Sequence, residues 1–398
     1  MADEPIAELN GMTPLQWAHT PGMDRIAREG RSGTLLTLPH GFPTSSDVAN
    51  MSVLGCDLKT EMCGRGVLEA ASQGIELGPQ DIALRCNLVS IDENGRLADY
   101  SAGHISQEDA KQLIDDLNAA LATPVVRFYP GVSFRCLLVI SGDGHSADVH
   151  CEKPDDHVGD LVAENLPTAD TPECERTAVL LRDLMERARE VLAASEVNKR
   201  ALAEGRQPAN GIWPWSAGRS GAMRTLQQRH GITGAVISAV DVIKGLGHCL
   251  GMEVIDVPGA TGYIDTNYSG KAQAAIEAIR RHDLVYVHVE AIDEVSHGRD
   301  LQLKLKAIAD FDELIVHPVM KACGNQIRYV VLPDHPVPLS MGRHTRTPVP
   351  VAISGPGVEP DAVETFDELA APCGALGVLI GPELMEFLFG PNKVEASK

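Results

Sequence analysis

Five side chains of the kind that bind divalent metals crowd the last third of this sequence. Asp293 and His297 sit in A-I-D-E-V-S-H, Asp334 and His335 are adjacent in L-P-D-H-P, and His344 follows in R-H-T-R-T-P. Carboxylate oxygens and neutral imidazoles together hold divalent ions, and two ions side by side can clamp the attacking and leaving oxygens of an in-line displacement at phosphorus. Singly, each group is weak evidence, since an Asp-His pair at a strand end is more often a turn or a cap. Three such groups at three successive strand boundaries are harder to explain that way.

A nucleophile suited to that chemistry lies far upstream. In T-S-S-D-V-A-N, Ser46 follows a polar turn and opens a run that reads as a helix, whose first free N–H groups favour a developing phosphate. Metal coordination would lower its hydroxyl pKa. The competing reading is that Ser45 or Ser46 merely caps the helix. Other phosphate and hydrolase motifs are missing: there is no Walker A loop, no G-x-G-x-x-G, no G-x-S-x-G and no H-E-x-x-H.

The elements that must position these residues are apolar runs. L-V-Y-V-H-V precedes Asp293, I-R-Y-V-V-L precedes Asp334, and V-P-V-A-I-S follows His344, each reading as a buried strand. In open α/β sheets ligands bind beyond the carboxyl ends of strands, so the five groups are expected to meet at one sheet edge. Thr13-Pro14 and Thr20-Pro21 each place a capping residue before a proline at the first helical position, and Gly30 suits a helix stop. S-G-T-L-L-T-L-P reads as a strand leading to the Ser46 loop.

The texture changes in the middle of the chain. D-I-A-L-R-C-N-L-V-S-I and V-S-F-R-C-L-L-V-I read as strands around a helix capped by Ser106 and Asp109, with Leu113, Ile114, Leu117 and Leu121 on one apolar face. A longer helix near residues 174 to 194 repeats that period at Leu181, Leu184, Met185, Ala188 and Leu192. From Gly231 strand-helix alternation resumes. The expectation is an α/β domain of residues 1–66 and 231–398, split by an α+β domain of residues 67–230.

Composition narrows the partners. A formal charge of −21 over 398 residues argues against nucleic acid, which needs a basic footprint, and against an anionic membrane surface. No run approaches the roughly 20 apolar residues of a membrane span and no signal pattern opens the chain, so a cytoplasmic protein is expected. Nine scattered cysteines, with no C-x-x-C, read as reduced core thiols. An anionic small substrate is compatible with this charge only where metals or clustered arginines offset it.

A resemblance then adds to these readings. The stretches N-G-M-T-P-L-Q-W-A-H-T-P-G-M-D-R-I-A, G-R-G-V-L-E-A, R-C-N-L-V, D-Y-S-A-G-H-I, F-Y-P-G-V-S-F-R, P-A-N-G-I-W-P-W, V-P-G-A-T-G-Y-I-D-T-N-Y-S-G-K-A, H-V-E-A-I-D-E-V-S-H and L-P-D-H-P run in order over nearly the whole chain. Together they resemble the archaeal-type cofactor-independent phosphoglycerate mutases of the alkaline phosphatase superfamily. The resemblance implies an alkaline-phosphatase-like core sheet with helices on both faces, interrupted by a substrate-binding domain. It implies interconversion of 3-phosphoglycerate and 2-phosphoglycerate through a phosphoserine at Ser46, without 2,3-bisphosphoglycerate. Two divalent ions are implied, Mn²⁺ first, with Mg²⁺, Co²⁺ or Zn²⁺ as alternatives. Asp293, His297 and His344 would hold one; Asp334, His335 and Ser46, with one further aspartate, would hold the other.

Lys271, in Y-S-G-K-A, would by the same resemblance neutralise phosphate charge between the metals; the plain alternative is a surface lysine beginning a helix. Arg65, Arg85 and Arg135 are candidates for the substrate carboxylate and phosphate, because a guanidinium fork suits both, or else structural ion pairs. Trp213 and Trp215 read as packing. The sequence departs from the family in reading Pro154, Asp155, Asp156 where proline, histidine, aspartate is common. It also opens inside the family's first metal motif, so that Asp3 matches that motif's second aspartate and not the ligand. The expectation drawn from this is a natural chain about ten to fifteen residues longer, a strand and its turn, with the shorter form poorly active and aggregation-prone. Two rival readings are a phosphatase or other phosphomutase on the same core, and a truncated, non-catalytic binding protein.

Overall fold

The structure is a computed structural model that describes residues 1–219, 221 and 223–390. Its strands are β1 (Gly30–Leu36), β2 (Ile82–Ile91), β3 (Leu97–Asp99), β4 (Val126–Val132), β5 (Arg135–Ile140), β6 (Gly211–Arg219), β7 (Gly234–Ile237), β8 (Glu253–Val254), β9 (Leu284–Val287), β10 (Tyr329–Val331), β11 (Val349–Ser354) and β12 (Gly377–Ile380). Met1–Met62 and Arg224–Lys398 form one compact unit, and Cys63–Met223 forms a second.

In the first unit the strands fall into two sheets, ordered β10-β11-β1-β12 and β8-β7-β9. β1 runs antiparallel to β11, from Gly30 opposite Ser354 to Leu35 opposite Val349, and parallel to β12. β7 runs parallel to both β8 and β9. The sequence leads one to expect a single core sheet, and here the structure differs. The edges of β9 and β10 face a cavity of about 490 Å³ instead of each other, so no hydrogen-bond ladder joins them. Leu284–Val287 are therefore only half-buried despite their apolar character.

Local signals are met unevenly. Thr13 closes a capping box with Gln16, but the Thr20 side chain makes no capping bond. A distant residue takes its place: buried Asp312 accepts from the Gly22 and Met23 amides at 3.0 and 2.6 Å. A carboxylate at a helix N-terminus satisfies orphan donors and complements the dipole, so it displaces the weaker hydroxyl. Gly30 begins β1 instead of stopping a helix. A Cβ there would lie 2.0 Å from the Ile353 carbonyl oxygen, so close strand pairing and not helix termination explains the glycine.

The second unit is antiparallel, ordered β3-β2-β5-β4 with β6 on β2 as well. The helix Gln107–Leu121 buries Leu113, Ile114, Leu117 and Leu121, and its N-cap Ser106 accepts from Asp109 N. The helix Pro172–Ala194 buries Leu181, Leu184, Met185, Ala188 and Leu192. Trp213 and Trp215 on β6 are in that core, 2% and 6% exposed. The protein is thus a mixed α/β fold with several sheets flanked by helices.

Candidate functional site

Beyond the carboxyl end of β9 the chain turns into the helix Ala291–His297, which sets Asp293 and His297 one turn apart on one face. Their side chains meet, His297 Nε2 lying 3.2 Å from Asp293 Oδ2. His344, on the loop before β11, brings its Nε2 to 3.5 Å from Asp293 Oδ1 and 3.0 Å from His297 Nε2. Both imidazoles are aimed from behind by backbone carbonyls. His297 Nδ1 lies 3.0 Å from Gly342 O and His344 Nδ1 lies 3.1 Å from Thr44 O. A carbonyl only accepts, so each Nδ1 carries a proton and each Nε2 is turned to the same spot. Two lone pairs at 3.0 Å repel unless a proton or a cation lies between them.

Ser46 is the first residue of the helix Ser46–Val53, and neither it nor Ser45 caps that helix through its side chain. Its hydroxyl instead lies 3.0 Å from His335 Nε2. His335 is 2% exposed, stacks on His344 with 3.8 Å between ring centroids, and lies 3.5 Å from Asp334 Oδ2 through Nε2 and 3.8 Å from Asp293 Oδ1 through Nδ1. Asp293, His335 and His344 each offer a ligand atom within 4.8 Å of the others. Asp293 Oδ1 and His335 Nδ1 are buried without a hydrogen-bond partner among the described residues. Orphaned lone pairs in a set of carboxylate and imidazole donors are what a divalent cation would satisfy, so these residues fit a metal.

The electrostatics agree. Burial would raise both Asp293 and Asp334, but the adjacent His297 and His344 imidazoles outweigh it at Asp293, and His335 and His288 outweigh it at Asp334. Both carboxyls are held well below their usual range. The hydrogen bond to Asp293 lifts His297 to about 9. Burial, only partly offset by Asp334, depresses His335. Carboxylates that stay charged beside imidazoles make a site of negative potential.

Lys271 is not a surface lysine. It is fully buried on the helix Tyr268–Ala278, and its ammonium donates to the His288 carbonyl at 2.9 Å. Burial lowers its pKa to about 8, against the pull of Glu290. It reaches the cluster through His288, whose Nδ1 lies 3.1 Å from Ser238 Oγ and whose Nε2 lies 3.4 Å from Glu290 and 3.9 Å from Asp334. Burial pushes Glu290 itself up to about 7. Sequence reasoning missed His288 and Glu290, although both stand in the H-V-E run that leads to Asp293. It also missed Asn50, four residues after Ser46 and therefore on the same helical face. Asp3 makes a buried pair with Lys304 at 2.6 Å and accepts from Leu339 N.

The three arginines lie in the second unit. Arg85 on β2 is 3.1 Å from Glu69 and 4.7 Å over the Trp215 ring. Arg135 on β5 pairs opposite Asn87, two residues along from Arg85, so both project from one face of the sheet. Burial lowers Arg85 to about 10, and the nearby charges of Arg65 and Arg135 push the same way. The Nε of Arg65 is buried without a hydrogen-bond partner among the described residues. Three neighbouring cations of this kind are relieved by an anion.

Comparison with known proteins gives this geometry its relatives. A family model described as 2,3-bisphosphoglycerate-independent phosphoglycerate mutase matches residues 27–198. A protein of that name from Methanosarcina acetivorans is 47% identical over 98% of this chain and 97% of its own length. One named as a probable enzyme of the same kind, from Geobacter sulfurreducens, is 46% identical over the same shares. Among solved structures, the PH0037 protein of Pyrococcus horikoshii superposes with a TM-score of 0.82 at 26% identity, over 97% of this chain and 93% of that one. The cofactor-independent phosphoglycerate mutase of Thermoplasma acidophilum gives 0.71 at 28% identity, over 98% and 96%. The chain belongs to the family of 2,3-bisphosphoglycerate-independent phosphoglycerate mutases, which are isomerases.

Proposed function

We propose that this protein interconverts 3-phosphoglycerate and 2-phosphoglycerate through a phosphoserine at Ser46 beside two divalent ions. The observation that carries the reading is the pair of imidazoles, His297 and His344, each locked by a backbone carbonyl so that its Nε2 faces Asp293, next to the Ser46–His335 contact. Asp293, His297 and His344 would hold one ion, and Asp334, His335 and Ser46 the other. His335 also faces Asp293, so its ring stands between the two sets. The mixed donors suit Mn²⁺, with Mg²⁺, Co²⁺ or Zn²⁺ as alternatives. When bound, such ions stabilise the attacking and leaving oxygens of an in-line phosphoryl transfer.

The chain's own residues supply the rest. In the first half, Ser46 Oγ forms a bond to phosphorus as the bond to the substrate's 3-oxygen breaks, and the hydroxyl proton passes in net to the departing glycerate. In the second, the 2-hydroxyl of glycerate attacks the phosphoserine, the P–Oγ bond breaks, and Ser46 regains a proton. Asn50 and the His335 amide orient Asp334, and Lys271 contributes positive charge behind His288. Positioning and electrostatics carry most phosphoryl-transfer catalysis, which is the work these groups are arranged for. Arg65, Arg85 and Arg135 of the second unit bind the carboxylate and phosphate. That unit serves as the substrate-binding domain, and the first as the alkaline-phosphatase-like core.

The test is product analysis. With Mn²⁺-loaded protein and 3-phosphoglycerate as sole substrate, 2-phosphoglycerate should appear much faster than inorganic phosphate and without added 2,3-bisphosphoglycerate. Phosphate as the dominant product would favour a phosphatase on the same core.

A further inference from the structure

Asn50 is a fully buried amide one helical turn beyond Ser46. Its Nδ2 donates to the carbonyl of Ser46 at 2.8 Å and to Asp334 Oδ2 at 2.9 Å. Its Oδ1 accepts from the hydroxyl of Tyr286 at 2.5 Å. Both amide protons are therefore used, one on the backbone of the nucleophile and one on a candidate metal ligand. Tyr286 stands on β9 and Asp334 follows β10, so this one side chain ties the Ser46 helix to the ends of two sheets that no strand pairing joins among the described residues.

The orientation of that amide is not free. Burial pushes the Tyr286 phenol well above its ordinary range, with the negative charges of Asp334 and Glu290 acting the same way, so it stays protonated and donates. Turning the amide over would put its carbonyl against the Ser46 carbonyl and the Asp334 carboxylate, three acceptors with no proton among them. Asp334 has little other direct support: its Oδ1 accepts from its own neighbour's amide, His335 N, at 2.9 Å, and its nearest imidazoles stand at 3.5 and 3.9 Å.

We infer that Asn50, turned by Tyr286, is a positioning residue that fixes the distance and angle between Ser46 and Asp334 so that both can serve one metal ion. This rests on the two-metal reading above and adds to it the residue that sets the geometry of the second ion. Among the described residues, no hydrogen bond joins Asn50 to Asp293, His297 or His344. Its loss should therefore be felt at one ion only.

Calorimetric titration of Mn²⁺ into the metal-free full chain tests this, alongside steady-state kinetics with 3-phosphoglycerate. Wild type should take up two ions. Asn50→Leu, similar in size but without donors, should weaken one of the two by about 10–100-fold, the usual cost of losing a group that orients a ligand, and leave the other unchanged. kcat should fall by a similar factor while KM stays within about twofold, since no substrate contact is removed. Tyr286→Phe, which frees the amide to turn, should weaken the same ion by about 10-fold. A folded Asn50→Leu protein with both affinities and kcat at wild-type level would overturn the inference. Should that variant not fold, Tyr286→Phe decides: loss at one ion supports the clamp, and unchanged binding overturns it. Fewer than two ions in wild type would overturn the two-metal reading itself, and the inference with it.

Discussion

His297 and His344 are held as ligands are held, with the proton on the nitrogen that faces the protein. In the metal-free protein Asp293 lifts His297 to about 9, so at neutral pH the imidazole carries a second proton that an ion must displace. Raising a pKa strengthens the proton as a competitor, which moves the competition upward from the ordinary histidine range near 6.5. Apparent Mn²⁺ affinity should rise by about 10-fold per pH unit between 7 and 9 and level off above that, as read by calorimetry across a pH series. Asp293→Asn should remove that slope near pH 8 along with most of the affinity. The five candidate donors were legible in the sequence because they stand at successive strand ends, and the structure brings ligand atoms of Asp293, His335 and His344 within 4.8 Å of one another. Asn50, His288 and Glu290 were not. His288 and Asn50 depend on partners 17 and 284 residues away, Lys271 and Asp334, which no spacing reveals.

The elements show where local signals suffice and where they fail. Thr13 and Ser106 cap their helices as their spacing indicates, because a cap is decided within three residues. Thr20 is overruled by Asp312, which arrives from 290 residues away. The separation of β9 from β10 was equally hidden, since apolar runs announce strands but not their neighbours. Each has an edge on the cavity, so every second amide of β9 and β10 should exchange with deuterium far faster than those of β1 and β11; slow exchange there would show that those edges are hydrogen-bonded in solution. Where the chain leaves the first unit at Met62 and returns at Arg224, Glu61 binds Arg229 at 2.7 Å, both side chains nearly fully buried. Glu61 is held below its usual pKa: burial works against this, but the Asp57 and Arg224 amides and two guanidiniums prevail. Its stabilisation is thus complete above the ordinary carboxylate range and is lost as pH falls through the lower folded value. Glu61→Ala, which leaves the Arg229 charge buried and unpaired, should cost about 3–5 kcal/mol in denaturant unfolding at pH 7.

At the scale of the whole molecule, the proposed function sets a net charge of −21 against an anionic substrate, and the paired ions and the arginines of the second unit would be the local answer. An ion that binds only the folded state adds to its stability. Mn²⁺ at about 100 times its dissociation constant should stabilise the protein by about 2.7 kcal/mol for each site, seen as a raised melting temperature that a chelator reverses. The most direct examination of the proposal concerns the bond that Ser46 is held to form. Metal-loaded protein mixed with phosphorus-labelled 3-phosphoglycerate, quenched within one turnover and digested, should carry label on the peptide containing Ser46, and Ser46→Ala should carry none while melting as wild type does. Label on Ser45 or on no residue, with 2-phosphoglycerate still being formed, would contradict it.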